Sequence, residues 1–452
     1  MNVLEQLRAE LGDLVDTSAA ALEDARADKS GHRSSAPPLA LVHAETVEHV
    51  QATMRIASAT GTPVVTRGAG TGLAGAANAG GGEIALSVRR MTRILEVSPD
   101  DLLAVVEPGI LNADLNAELA PYGLWWAPDP ASRAISTVGG NIATGAGGLL
   151  CAKYGVVRDA VLGVDVVLAD GRLIRMGHRS VKGVTGLDLT SLMIGSEGTL
   201  GVIVGATLKL RRVVPGDVCT IAATFPTVRD AASGSSAVTA AGIQPAIMEL
   251  MDATSLAAAH ALLALPAPTA GASQLTIQTD GPAARTEADA VAEVLRRAGG
   301  TVTITYDREE GERLLAIRRA MHPAMESLGT ALIEDVSVPR SRMAAMFDEI
   351  ARVEREHGVG IPTVAHAGDG NLHPNFIFQG DEVPEGIWAA ADDLFRAAIR
   401  LGGTLTGEHG IGVLKRRWLA DELGDDQWRL QRDVARVFDP QGILNPGKVF
   451  DA

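Results

Sequence analysis

Apolar positions along the first ninety or so residues recur at two different spacings. MNVLEQLRAELGDLV reads as an acidic amphipathic helix. A polar stretch from Asp24 to Pro38 and a short apolar run at Leu39 to His43 follow it. Val47, Val50, Met54 and Ala57 then mark one face of a helix near Thr46 to Ala59, ended by Gly61. Val64 and Val65 begin a strand, which makes the opening a βαβ unit, and Ile84, Leu86 and Val88 alternate along a further strand, Glu83 to Val88. The pattern changes at RRVVPG, Arg211 to Gly216. Beyond it, strands at Gln274 to Gln278 and Thr301 to Thr305 alternate with helices near Arg285 to Arg297 and Met343 to Glu356, predicting a second α+β layer domain. Helices from about Val413 to Val437 close the chain and return to the first domain. The resulting division is a helix and connector at 1–34, a first domain at 35–213, a second at 214–405 and a returning segment at 406–452. Neither an internal repeat nor extended disorder is evident.

Glycine punctuates the first half in three places. PVVTRGAGTGLAGAA, Pro63 to Ala77, ends an apolar run in a loop with Gly68, Gly70, Gly72 and Gly75. A dinucleotide fingerprint of the Rossmann type needs a helix straight after such glycines, and Gly80, Gly81 and Gly82 stand there instead. The glycines still let backbone amides approach a pyrophosphate. PDPASRAISTVGGNIATGAGG, Pro128 to Gly148, and GSEGTLGVI, Gly195 to Ile203, are the other two. A chain with 50 glycines has many tight turns, but three loops in one half, all carrying hydroxyls, argue for an extended bound cofactor.

The second half carries HAGDGNLH, His366 to His373, and GEHGIG, Gly407 to Gly412. GDGN favours a turn and would break a helix, so a hairpin is predicted. With Gly368 to Asn371 as its loop, Ala367 pairs with Leu372 and His366 falls directly opposite His373, β-carbons about 5 Å apart. Asn375, two residues on, projects from the same face. Glu408 supplies a third ligand, and two nitrogens with one carboxylate leave coordination open for substrate or water, as in catalytic metal sites. His409 is then the candidate base. A lone histidine pair at a glycine turn is as often a surface hairpin, and the second motif raises the metal reading.

Composition narrows the partners. The 452 residues suffice for two cored domains, and a formal charge of −15 without a basic, aromatic-rich cluster argues against nucleic acid. Cys151 and Cys219 fit a reducing compartment. The acidic N-terminus does not read as a secretory signal, and no apolar run is long enough to span a bilayer, so a cytoplasmic protein is expected, with peripheral membrane association left open.

RGAGTG, PDPASRAISTVGGNIATGAGG, YGVVRD, GSEGTLGVI, HAGDGNLH, GEHGIG and the terminal ILNPGK together resemble the FAD-linked oxidoreductases of the vanillyl-alcohol oxidase and p-cresol methylhydroxylase superfamily. Within it they look most like the D-2-hydroxyacid dehydrogenase branch, which includes D-lactate dehydrogenases, glycolate oxidase catalytic subunits and D-2-hydroxyglutarate dehydrogenases. The resemblance runs from about Pro38 to Lys448. It implies an α+β fold with a two-part FAD-binding domain and an α+β cap domain. It also implies that Arg67, Gly68, Ala69, Gly70, Thr71 and Gly72 hold the FAD pyrophosphate. Pro128, Asp129, Ser132, Thr137, Gly139, Asn141 and Thr144 would line the isoalloxazine and ribityl region, and Glu197, Gly198 and Ile203 the nucleotide half. Asn445 and Lys448 would return to the flavin. No histidine stands in the Gly68 to Gly72 loop, so noncovalent FAD is expected. Cys151 is read as a small buried thiol.

The same resemblance implies a divalent cation, zinc or manganese, chelated by a substrate carboxylate and 2-hydroxyl. The nitrogen-rich set suits zinc slightly better. His409 would take the hydroxyl proton as the hydride on carbon 2 moves to the flavin. Arg318 would clamp the carboxylate, although Leu315 stands where the family has Trp. In IEDVSVP, Ile333 to Pro339, Ile333 and Glu334 stand where 2-hydroxyglutarate enzymes tend to carry a lysine, which favours a monocarboxylate such as D-lactate. Glycolate, 2-hydroxyglutarate and a noncatalytic flavin-binding subunit are the alternatives. The electron acceptor is open among quinone, flavoprotein carrier, cytochrome and oxygen, and a homodimer or an iron–sulfur partner subunit is compatible with the resemblance.

Overall fold

The computed structural model describes residues 1–380 and 382–450. The chain divides into two compact units. One comprises Met1–Gly148, Gly155–Val213 and the chain from Glu408 onward, the other Leu149–Tyr154 and Val214–Gly407.

The first unit holds two principal sheets. In one, Ala40–His43 and Val64–Arg67 flank Ile84–Ser87 in parallel, and Val15–Asp16 adds an antiparallel edge. The crossover helix Val47–Thr60 starts at Thr46, whose side chain accepts from the His49 amide, and stops at Gly61 in the left-handed region, φ 63°. Val50, Met54 and Ala57 are fully buried against the sheet, together with Leu7 of the N-terminal helix Val3–Leu11. Each such side chain contributes roughly 1.5–3 kcal/mol where it is large and fully buried. The second sheet is antiparallel, in the order Ile94–Ser98, Leu103–Val106, Val202–Lys209, Val161–Val167, Leu173–Gly177. Its core takes in Leu115, Trp126, Val138, Ile142 and Ile203. The C-terminal return is fixed by a parallel bridge from Val64 to Leu444.

The second unit is built on one broad antiparallel sheet. From one edge it runs Thr301–Thr305, Asp217–Phe225, Ser273–Gly281, Ile247–Met251, Thr363–His366, Asn371–Phe378 and Thr330–Ile333. Helices Val228–Ala240, Ala284–Arg297, Met343–His357 and Glu385–Arg400 form one layer against it. Ala253–Leu262, Arg308–Arg319 and Met321–Glu326 pack elsewhere, with Leu256, Ile317, Met321 and Met325 closing over Met251 and Val364. Leu149–Tyr154, which the sequence pattern leaves in the first domain, packs in this unit. Lys153 and Tyr154 bind Asp280, and Gln244 Nε2 donates to Ala152 O at 2.7 Å. Cys151 there is half-buried rather than the buried thiol expected, while Cys219 is buried. No described helix is long and apolar enough to cross a membrane.

Candidate active site

His366 and His373 meet as expected, but by a different register. The turn is Ala367–Gly370, so His366 pairs with Asn371 and His373 with Val364. The two histidines are therefore diagonal neighbours rather than directly opposite. Gly370 sets this register: its φ is 93°, and its amide donates to His366 O at 3.0 Å. A shift of two residues along one strand leaves every side chain on its original face. The rings consequently still converge, with centroids 5.0 Å apart and planes at 84°. Both are 7 % exposed.

Sequence reasoning missed Glu249, on the adjacent strand directly opposite His366. Its carboxylate lies 2.8 Å from His366 Nδ1 and is 1 % exposed. Burial works against that charge, but His366 and Arg318 outweigh it and hold the carboxyl below its ordinary value. A carboxylate on Nδ1 favours the tautomer that carries its proton on that nitrogen. A lone glutamate in a strand of apolar residues, IMELM, was the available signal.

Arg318 sits on Arg308–Arg319 with Nε 2.8 Å from Glu249 Oε2, an ion pair without hydrogen-bond alignment. Nε thus serves Glu249. Asn375, 3 % exposed, donates through Nδ2 to His373 O at 2.8 Å and Pro362 O at 3.1 Å. Its carboxamide nitrogen thus ties the strand Asn371–Phe378 to Pro362. Ile333 is half-buried and is the cross-strand partner of Asn375, hence on the same face. Gly407 rests against the Asn371 side chain.

In the first unit the three glycine loops assemble behind the Val64–Arg67 strand. Among the described residues, no protein acceptor pairs with the backbone amides of Gly68, Ala69, Gly70, Thr71 and Gly72. Successive unpaired amides of this kind suit a pyrophosphate. The Arg67 guanidinium lies against Gly70 of that loop. It donates to Ala77 O and Asp24 O, each at 3.1 Å, and braces the loop from within. A β-carbon on Gly68 would stand 2.5 Å from Thr137 Oγ1, which caps Val138–Thr144. The close approach of loop and helix explains that glycine. Gly139 is held equally tightly against Pro108.

Asn141 is spent on structure: its Oδ1 accepts from Asn112 at 3.2 Å and its Nδ2 donates to Ser136 at 3.1 Å. Asn112 in turn donates to Pro128 O at 2.9 Å. This network shapes the segment that carries Asp129, Ser132 and Thr144, all half-buried. The side chain of Ile203 lies in the hydrophobic core, and the residue pairs with Val166.

Glu197 has its carboxylate on the GEHGIG backbone. It has φ 51° and is 7 % exposed, and its two oxygens accept the amides of Ile411 at 2.7 Å and Gly412 at 2.8 Å. Its carboxylate thus serves GEHGIG. Burial pushes its pKa up to about 7 against the opposing pull of those amides and Lys415. Gly198 beside it has φ 78° and faces Asn445. Asn445 donates to Glu197 O at 2.6 Å and Ala76 O at 3.0 Å, joining the C-terminal return to two glycine loops. Lys448 is 7 % exposed, 3.7 Å from Glu83, and burial lowers its pKa. Glu408 Oε1 lies 3.7 Å from His409 Nε2, and a side chain on Gly147 would collide with the Glu408 carboxylate.

Family models match most of the chain: an FAD binding domain over residues 38–177 and the C-terminal domain of FAD linked oxidases over residues 214–449. The glycolate oxidase subunit GlcD of Bacillus subtilis is 37 % identical over 91 % of this chain and 89 % of its own. A D-lactate dehydrogenase of Archaeoglobus fulgidus is 34 % identical over 89 % of each. Crystalline p-cresol methylhydroxylase with substrate bound shares the fold, with a TM-score of 0.80 at 19 % identity, over 99 % of this chain and 96 % of that one. The unpaired amide cradle and these matches agree: the chain belongs to the FAD-linked oxidases, flavin-dependent oxidoreductases.

Proposed function

We propose that this enzyme oxidises a D-2-hydroxy monocarboxylate of about the size of D-lactate to the 2-oxo acid, with a divalent cation on His366, His373 and Glu408. The observation that carries the reading is the converging imidazole pair, with His366 Nδ1 committed to the buried Glu249. A carboxylate on the far ring nitrogen fixes the tautomer and orientation a metal-binding imidazole needs. Glu408, next to His409 in GEHGIG, is the carboxylate proposed as third ligand. FAD, when bound, supplies the acceptor for the hydride from carbon 2. The cation supplies Lewis acidity that lowers the pKa of the 2-hydroxyl. Of the chain's own residues, His409 takes the hydroxyl proton and Arg318 meets the carboxylate through its terminal nitrogens.

Ile333 bears on the substrate. On the ligand face, half-buried beside Asn375, it offers a second carboxylate no counter-charge. Glycolate is the second reading, favoured by the identity to the Bacillus subtilis subunit. A pocket sized for lactate discriminates against loss of one methyl by only about 1–3 kcal/mol. The test is anaerobic flavin bleaching with D-lactate, L-lactate, glycolate and D-2-hydroxyglutarate, before and after chelation. Fast bleaching by D-lactate that chelation abolishes is expected. Preference for D-2-hydroxyglutarate would overturn the role given to Ile333, and bleaching indifferent to chelation would overturn the metal.

A further inference from the structure

The segment Thr404–Gly412 carries Glu408 and His409 yet forms no helix or strand of its own. It contains Gly407, Gly410 and Gly412, the last two with φ of 88° and 50°. Such a backbone cannot hold two side chains in one arrangement without outside fixing. Each end is fixed by a buried carboxylate. In the second unit, Thr406 donates its hydroxyl to Asp335, which is fully buried, and Thr404 exchanges backbone hydrogen bonds with Ser337 at 2.8 and 3.2 Å. In the first unit, Glu197 accepts the Ile411 and Gly412 amides, one on each oxygen. The fit there is close, because a β-carbon on Gly410 would stand 3.0 Å from the Glu197 carboxylate. Val413 N donates to Ala74 O at 2.8 Å just beyond.

We propose that Glu197 is a positioning residue for the reaction: its carboxylate sets the backbone that aims His409 and Glu408, and Asp335 does the same from the other end. The inference rests on the reading of His409 as base and Glu408 as ligand. Glu197 is suited to this because it can accept two amides at once. A carboxamide there has one accepting oxygen and turns an N–H toward the other amide. The turn it holds, Gly410 to Gly412, is itself buried, and a neutral acceptor would cap it without the desolvation cost of a carboxylate.

The experiment measures single-turnover anaerobic flavin reduction by D-lactate in the holoenzyme, with flavin content and melting temperature recorded for each variant. The proteins are wild type, Glu197→Gln, Glu197→Asp, Asp335→Asn, His409→Ala and Glu107→Gln, the last a buried carboxylate paired with Arg93 away from the loop. Expected are a 10- to 100-fold lower limiting rate for Glu197→Gln and Asp335→Asn, with half-saturating D-lactate within about twofold of wild type and flavin content retained. Glu197→Asp should fall between, and Glu107→Gln should match wild type. A wild-type limiting rate in Glu197→Gln overturns the proposal. So does a rate loss that only tracks lost flavin or lowered melting temperature, which would make Glu197 a merely structural residue. If Glu197→Gln does not fold, Glu197→Asp decides by the same criteria. Failure of wild-type enzyme to reduce its flavin with any hydroxy acid, or full activity in His409→Ala, would instead fail the underlying reading.

Discussion

Two buried carboxylates, on different units, show how much a single residue decides here. Glu249 has one oxygen on His366 Nδ1 and the other beside Arg318, each at 2.8 Å. Glu249→Gln removes the charge that fixes the tautomer, and metal affinity should fall about 10- to 100-fold, read by zinc titration of metal-free protein. Unchanged affinity would remove Glu249 from the site. Glu197 makes a prediction in pH. Its folded pKa lies at about 7 against an ordinary 4.5. Between those values the folded chain keeps a proton that the unfolded chain has released. Stability from this group is therefore highest below pH 4.5, declines as pH rises through the window and is level above 7. The whole effect is about 3 kcal/mol. Denaturant unfolding of wild type and Glu197→Gln at pH 5 and pH 8 should show the wild type losing more stability on going to pH 8. Parallel losses would mean that the carboxyl ionises at its ordinary pKa.

At the scale of the element, the hairpin shows what was legible and what was not. HAGDGNLH announces a turn by composition, and alternation along a strand has a period of 2, so the shared face of His366, His373 and Asn375 could be read without coordinates. Register could not. It depends on Gly370 taking φ 93° and on a β-carbon there colliding with Val338 O, a contact with a segment distant in sequence. Gly370→Ala should accordingly destabilise the second unit by about 2 kcal/mol or more, checked by chemical denaturation. A variant as stable as wild type would mean that the turn relaxes freely. Non-local pairing limits sequence reading elsewhere too. Ile203 belongs to a motif that reads as ligand-binding but is inside a core strand, and Arg67 opens a glycine loop yet turns its charge onto Asp24 and Ala77. Glu249 stands out as a lone glutamate among apolar residues, but its role comes only from pairing with His366 on the adjacent strand. Helices fared better. Thr46 and Gly61, the signals at the two ends of one, stand at its N-cap and C-cap.

For the whole molecule, the division into two units has a thermodynamic consequence. Each has its own sheets and its own buried apolar clusters, Leu7, Met54 and Leu86 in one, Met251, Ile317 and Met325 in the other. Ligands that bind only the folded form stabilise it by RT ln(1 + [L]/Kd), about 2.7 kcal/mol at a hundredfold excess over Kd. The amide cradle Gly68–Gly72 belongs entirely to the first unit, so FAD should raise the melting of that unit and leave the second nearly unchanged. His366 and His373, the imidazole pair proposed to hold the cation, belong to the second unit, so zinc should raise the melting of that unit. Calorimetry of apoprotein, of protein with FAD and of protein with both would show the pattern. If zinc left the second transition where it was, His366 and His373 would not be metal ligands, and the Lewis acidity proposed to lower the hydroxyl pKa would need another source.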